Sequence, residues 1–72
     1  MYRVILGAFK LEYNAVIVKK ESGKKGIDTI IYPHNGRYFV VAGSFELEKS
    51  ANARLIQVKD AGYVFSYVKK YC

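Results

Sequence analysis

The sequence has few of the residues from which catalytic and metal-binding sites are built. It contains one cysteine, Cys72 at the last position, and one histidine, His34, so neither an internal disulfide nor a Cys/His metal set can form. Asp28 and Asp60 have no evident carboxylate partner, which leaves paired-acid hydrolysis without candidate residues. No serine or cysteine forms a nucleophile–base pattern with His34. We therefore predict a non-enzymatic domain with no catalytic residue, no metal and no cofactor.

The chain also has no long apolar run, and we expect no leader sequence. No stretch is long enough to span a membrane, and the first residues do not have the pattern of a signal peptide. We therefore expect no membrane partner. If the protein acts outside the cell, we expect another domain or cell lysis to deliver it there.

The length of 72 residues permits one domain, spanning residues 1–72. A chain of this size buries only about 60% of the surface that its unfolded form exposes, so the core must be thin. Apolar residues make up 51% of the sequence, which is too high a fraction for a disordered tail. The sequence thus predicts a small folded domain with little room for an enclosed active site.

Acidic residues are scarce relative to basic ones. Twelve lysines and arginines against six acidic residues give a formal net charge of +6. This excess favours an anionic partner, such as nucleic acid, teichoic acid, acidic lipid or glycan carboxylates. The alternative is that the lysines only maintain solubility or complement the end of a helix, as Lys24 and Lys25 would. Both interpretations remain open at this point.

The most informative feature is an internal repeat. Residues 2–12, YRVILGAFKLE, are matched 36 positions later by residues 38–48, YFVVAGSFELE. The same offset pairs Ala15 with Ala51 and Gly26 with Gly62. The chain therefore divides into two copies of one unit, at about residues 2–36 and 38–72.

Each unit has the pattern strand, helix, strand. Residues 2–6 and 38–41 are β-rich and end at a glycine, and residues 12–25 and 48–61 have helical spacing and end before Gly26 and Gly62. The β-branched run Val16 to Val18 would favour a strand, but the repeat decides for a helix. Residues 27–32 and 63–68 form the closing strands, and residues 33–36 form a turn. The result is an α+β, ferredoxin-like βαββαβ fold, a four-stranded antiparallel sheet with two helices on one face.

Period-two alternation assigns strand residues to the helix-covered face or to the open face of the sheet. Applied to the last strand, it directs Phe65 and Tyr67 toward the helices and Ser66 outward. The expected open face is unusually apolar and is edged by cations; it carries Arg3, Ile5, Ile30, Tyr32, Arg37, Phe39, Val41, Val64, Ser66 and Val68.

An apolar face of this kind usually marks a surface for a ligand or a partner. A shallow sheet with aromatic residues suits a long polymer, because sugar rings stack on it and arginine binds carboxylates or hydroxyls. Two alternatives remain. Either the predicted strand registers are wrong, or two copies of the domain form a homodimer through the open face or through an edge strand.

The repeated strand-Gly-small-Phe pattern resembles the SPOR domain family. Val4 to Phe9 and Val40 to Phe45 carry this pattern, and Ala15 and Ala51 follow six residues after each phenylalanine. The resemblance covers essentially the whole chain and is strongest to the modules of bacterial amidases and phage endolysins. It implies a domain that targets the bacterial cell wall by binding peptidoglycan glycan strands, preferably those without stem peptides, across the open sheet.

Two positions depart from the family pattern. The family often has a glutamine at the position of Ile5 and a serine at the position of Ala8, and both residues are apolar here. The basic or aromatic residues that the family often has in the third strand fall at Arg37 and Phe39, which fits the pattern. The resemblance and the alternation together predict a glycan-binding set of Arg3, Ile5, Ala8, Tyr32, Arg37, Phe39, Val41 and Ser66.

The main rival is an RRM-like domain that binds single-stranded RNA. It shares this topology, and Gly36 to Val40 faintly resembles its basic-Gly-aromatic consensus. Alternation, however, points Tyr38 inward and leaves Phe39 as the only stacking ring of the third strand. Nucleic acid is therefore the less favoured partner.

Overall fold

A computed structural model describes residues 1–71, and Cys72, for which we predicted no disulfide, lies outside them. The elements follow the predicted order βαββαβ, and both helices end within one residue of the predicted bounds. They are β1 (Tyr2–Phe9), α1 (Glu12–Lys24), β2 (Ile30–His34), β3 (Arg37–Phe45), α2 (Glu48–Asp60) and β4 (Tyr67–Lys70).

The four strands form one antiparallel sheet in the order β2-β3-β1-β4. Val4 and Val40 on the central strands pack in one buried cluster with Ala15 of α1 and with Ala51 and Val58 of α2. Both alanines are completely buried, and their small side chains let the helices lie close to the sheet. The ferredoxin-like arrangement is confirmed, including the helical state of the β-branched run in α1.

The repeated Gly-x-Phe motif is explained by packing within each central strand. A Cβ atom placed on Gly43 would lie 2.9 Å from the ring of Phe45, and one on Gly7 would lie 3.1 Å from the ring of Phe9. Each ring therefore folds back over the glycine two residues before it. Gly43 also has φ +139°, a conformation that side chains rarely adopt. The β1–β3 ladder is irregular on both sides of Ile5.

The two units are related by an approximate two-fold axis through the centre of the sheet. Ile5 pairs with Val41, which is its own equivalent in the second unit. Exchanging the two units converts the pair Tyr2–Phe45 into the pair Tyr38–Phe9. It likewise converts the pair Arg3–Ser44 into the pair Phe39–Ala8. The repeat is thus a structural repeat that places the same two strands at the middle of the sheet.

The strand β2 begins and ends later than the alternation predicted. Ile27 and Thr29 are buried in the loop after α1, whereas the strand runs from Ile30 through His34. The turn is confined to Asn35 and Gly36, whose φ angles of 51° and 74° fit a two-residue hairpin. A proline within β2 is tolerated because β2 is an edge strand.

The predicted faces of β4 are wrong, because the second unit has one extra loop residue. Ile30 of β2 pairs with Val41, and Tyr67 of β4 pairs with Ile5, which is the equivalent of Val41. Ile30 and Tyr67 are therefore equivalent positions, and the offset between the units is 37 residues here rather than 36. A shift of one residue reverses every side chain of a strand. Tyr67 therefore lies on the open face and Val68 packs against the core. Phe65, expected to be inside, is 89% exposed.

Candidate functional site on the open sheet face

The strand register identifies the residues of the open face, because side chains directly opposite each other on neighbouring strands share a face. At one end Arg3 lies between Ser44 and Lys69, and at the other Phe39 lies between Ala8 and Tyr32. The complete set from these ladders is Arg3, Ile5, Ala8, Ile30, Tyr32, His34, Arg37, Phe39, Val41, Ser44, Tyr67 and Lys69.

The centre of this face is covered by side chains. Ile5 is 0% and Val41 is 2% exposed, yet neither belongs to the core cluster on the helix side. Both were predicted as part of an exposed apolar floor. They are instead a small second core, so a ligand on this face would rest on the side chains that cover them.

Arg3 lies at the centre of that cover. Its guanidinium carbon is 4.6 Å from the ring centroid of Tyr32 and 4.5 Å from that of Tyr71. Tyr32 comes from the edge strand β2, and Tyr71 follows the opposite edge strand β4. The three side chains therefore form a bridge across the sheet, which we call the Tyr–Arg–Tyr bridge. Cation–π contacts of this kind hold the guanidinium in place.

The position of Tyr71 is fixed by backbone bonds to the other end of the chain. The Tyr71 amide donates to the Met1 carbonyl at 2.7 Å, and the Met1 ammonium donates to the Tyr71 carbonyl at 2.8 Å. These bonds continue the β1–β4 ladder by one residue. Tyr71 is therefore held beside Arg3 and Lys69, and the Lys69 ammonium lies 5.5 Å from its ring centroid.

The other end of the face is aromatic. The rings of Tyr32 and His34 stack with centroids 5.7 Å apart and an interplanar angle of 15°. Phe39 is half-buried opposite Tyr32, and the small side chain of Ala8 lies on its other side. Arg37 is exposed at the hairpin, opposite His34. This end offers planar surfaces with a cation at the rim.

Ser66 is not on this face, and its predicted position was wrong. It precedes β4 in the loop and is 4% exposed. Its hydroxyl donates to the Tyr63 carbonyl at 2.7 Å. The extra loop residue is the cause, since it moves Ser66 to the position that the buried Thr29 occupies in the first unit.

Charge is unevenly distributed between the sheet and the rest of the domain. The strands carry four cations, Arg3, Arg37, Lys69 and Lys70, and no acidic residue. All six acidic residues lie in the helices and the loops beside them. The open face therefore has a positive potential that favours an anionic ligand.

Residues 1–71 form no enclosed pocket and contain no group of three potential metal ligands. No helix among these residues has the length and apolar character needed to cross a membrane.

The comparison with known families assigns the chain. The model of the SPOR domain family matches residues 1–70. The chain belongs to the SPOR domain family. The expected resemblance is thus confirmed over nearly the whole chain.

A solved structure supports the same assignment. The SPOR domain described here is similar to the peptidoglycan-binding domain of the B. subtilis cell wall lytic enzyme CwlC, determined in solution. The two are 30% identical with a TM-score of 0.78, and the match covers 96% of this chain and 89% of the other. No curated protein matches the chain.

The sequence-based prediction missed Ser44, which lies beyond the predicted end of β3, and four further residues of this SPOR domain's open face: His34, Tyr67, Lys69 and Tyr71. His34 was assigned to a turn, although it ends a strand. The other three alternate along β4 and just beyond it. Their periodicity was present in the sequence, but the constant offset of 36 assigned β4 to the opposite faces.

Proposed function

We propose that this SPOR domain binds peptidoglycan by holding a glycan strand across its open sheet face. It would serve as the targeting module of a bacterial cell-wall lytic enzyme, of the amidase or phage endolysin type, and so act in the cell wall after delivery by another domain or by lysis. The observation that carries the proposal is the face itself, which combines planar rings with cations and has no acidic strand residue. The similarity to the CwlC domain supports it.

The aromatic end would provide the stacking surface for a sugar ring. Phe39 lies between Ala8 and Tyr32, so a ring bound there would contact a row of planar or small side chains. Ile5 and Val41 would support this row from below without contacting the ligand, since they are buried. Arg37, exposed at the rim, would pair with a carboxylate of the glycan or of a stem peptide.

The test is binding of the purified domain to peptidoglycan sacculi in a pull-down assay. Phe39→Ala should weaken binding by about 2 kcal/mol, as expected when a central aromatic anchor is removed. Arg37→Ala should weaken binding less, and less still at high salt, because a rim charge is screened.

Matched controls remove the same kinds of side chain from the helix side. Tyr13→Ala removes an exposed ring of α1, and Lys20→Ala removes an exposed cation of the same helix. Both should bind sacculi as the wild type does. If a folded Phe39→Ala variant also binds like the wild type, the glycan-binding site does not lie at the aromatic end of the open face.

Two further measurements test the other partners. Binding of oligonucleotides rather than sacculi would support an RNA-binding domain and contradict the proposal. Sedimentation of the free domain tests a homodimer through the sheet face or an edge strand. A dimer that dissociates when sacculi are added would show that the glycan and the second copy compete for one surface.

A further inference from the structure

The pair Arg3 and Lys69 has an arrangement that folding alone does not favour. They lie directly opposite each other on β1 and β4 and share the open face. Like charges in such a cross-strand pair are destabilising. The strands contain no acidic residue to offset the repulsion, and the ion pair found among residues 1–71, between Lys25 and Glu21, lies elsewhere. An anionic ligand on this face would remove the cost.

The Tyr–Arg–Tyr bridge fixes where such an anion would bind. Tyr32 and Tyr71 approach the guanidinium of Arg3 from opposite edges of the sheet, and its central carbon lies over both rings. No hydrogen bond from Arg3 to a protein acceptor is found in residues 1–71. The N–H donors at the edge of the guanidinium are therefore unused. This fork of donors matches a carboxylate, which it binds through two parallel hydrogen bonds.

We propose, on the basis of the proposed glycan binding, that Arg3 is the receptor for the sugar carboxylate of an acidic glycan. Arg3 distinguishes strands whose muramic acid residues carry a free carboxylate from neutral strands of the same length. Tyr32 and Tyr71 position the guanidinium in advance, so little side-chain freedom is lost on binding. Lys69 adds a second positive charge beside the site.

The experiment compares three probes by titration calorimetry on the wild-type domain. The first is glycan strands stripped of stem peptides, with free lactyl carboxylates. The second is the same strands after carbodiimide coupling of those carboxylates to a neutral amine. The third is chitin oligosaccharides of matched length. We expect the first probe to bind about tenfold more tightly than the other two, as a hydrogen-bonded charge would provide.

Variants then assign the difference to Arg3. Arg3→Gln should lose most of this discrimination, with only the smaller contributions of Arg37 and Lys69 left. Arg3→Lys, which keeps the charge but loses the fork of donors, should be intermediate. Arg54→Gln is the matched control, because Arg54 also lies over a ring, that of Phe45 at 6.0 Å, but on α2. It should discriminate as the wild type does. If Arg3→Gln does not fold, the affinities of the three probes for the wild type and for Arg3→Lys still test the proposal.

The possible failures are distinguishable. If the wild type binds free and neutralised strands equally, Arg3 is not a carboxylate receptor, although glycan binding stands. If Arg3→Gln binds every probe more tightly than the wild type does, the Arg3 side chain blocks the surface and the ligand must displace it. That result also overturns the proposal. If the wild type binds neither strands nor sacculi, the proposed function itself is wrong.

Discussion

The two units of this SPOR domain share a backbone but differ at the surface positions that the two-fold axis relates. Where the first unit has Arg3, the second has Phe39, and where the first has Ala8, the second has Ser44. The open face consequently has a cationic end and an aromatic end, although its strands are nearly symmetric. The repeat accounts for the shared scaffold, and divergence at a few outward positions accounts for two chemically different surfaces.

The helix-covered side has diverged much less. Val4 and Val40 are equivalent and fully buried, and so are Ala15 and Ala51. Close packing explains the contrast, since a change of one methylene group in a core is felt, whereas a surface position tolerates many residues. The exceptions to the symmetry are therefore the places where the two units can be compared experimentally.

The largest effect should come from the two glycines of the Gly-x-Phe motif. Gly43→Ala introduces a Cβ atom 2.9 Å from the Phe45 ring at a residue with φ +139°. We expect a loss of about 2 kcal/mol in the free energy of unfolding. Gly7→Ala has the close contact with Phe9 but not the unusual φ, and should cost about 1 kcal/mol. Urea denaturation measures both, and equal losses would contradict the stated role of φ.

The next effect concerns a buried polar contact that only the first unit has. The hydroxyl of Ser22 donates to the Lys19 carbonyl at 3.0 Å and lies 3.3 Å from the hydroxyl of Thr29. The equivalent of Ser22 is the apolar Val58, also fully buried. Ser22→Ala leaves the Thr29 hydroxyl without this partner and should cost about 1.5 kcal/mol. Adding Thr29→Val should recover part of that loss in a double-mutant cycle; strict additivity would show that the hydroxyls do not interact.

A smaller effect on stability is expected when the loops between the helix and the last strand of the two units are made equal in length. Deleting Val64, which is 63% exposed, gives the second unit the loop length of the first. Since the shorter loop already works in the first unit, stability should change by less than about 1 kcal/mol. Tyr67 should remain opposite Ile5, as NMR contacts across the strands would show. Deleting the buried Ser66 instead is the control and should destabilise more. A flipped β4 in the Val64 deletion would disprove this explanation of the register.

The smallest effect should come from Tyr63, the counterpart of the buried Ile27. Its hydroxyl donates to Glu21 at 3.0 Å. Burial, together with the hydrogen bond and the charge of Glu21, raises the pKa of Tyr63 from 10.0 to about 12. Tyr63→Phe should cost about 0.5 kcal/mol at pH 7.

The sign of the pH dependence follows from the raised pKa. The folded state holds the proton of Tyr63 more tightly than the unfolded state does, so this contribution is intact below pH 10. It is lost as the pH rises from 10 to about 12. The stability difference between wild type and Tyr63→Phe should therefore shrink over that range, as denaturation at several pH values measures. Tyr13→Phe, which removes the hydroxyl of an exposed ring, is the matched control.

Much of the site could be predicted where alternation and repeat agreed. Tyr32, Phe39 and Arg37 were assigned to the open face, and the ladder places all three there. The prediction failed in the last strand, beyond Gly62, because no identical pair of residues marks the change of offset. The side chains around Tyr67 were consequently assigned to the wrong faces.

The sequence alone determined the order of the elements, the helix bounds and the inward face of the central strands. These features depend on local periodicity and on a repeat that can be counted along the chain. Only the tertiary structure showed that Ile5 and Val41 are covered and that Arg3 lies between Tyr32 and Tyr71. The reason is that this bridge joins residues from opposite edges of the sheet and from distant parts of the chain. Their contact depends on the twist of the sheet and the register of β4, which no local pattern encodes.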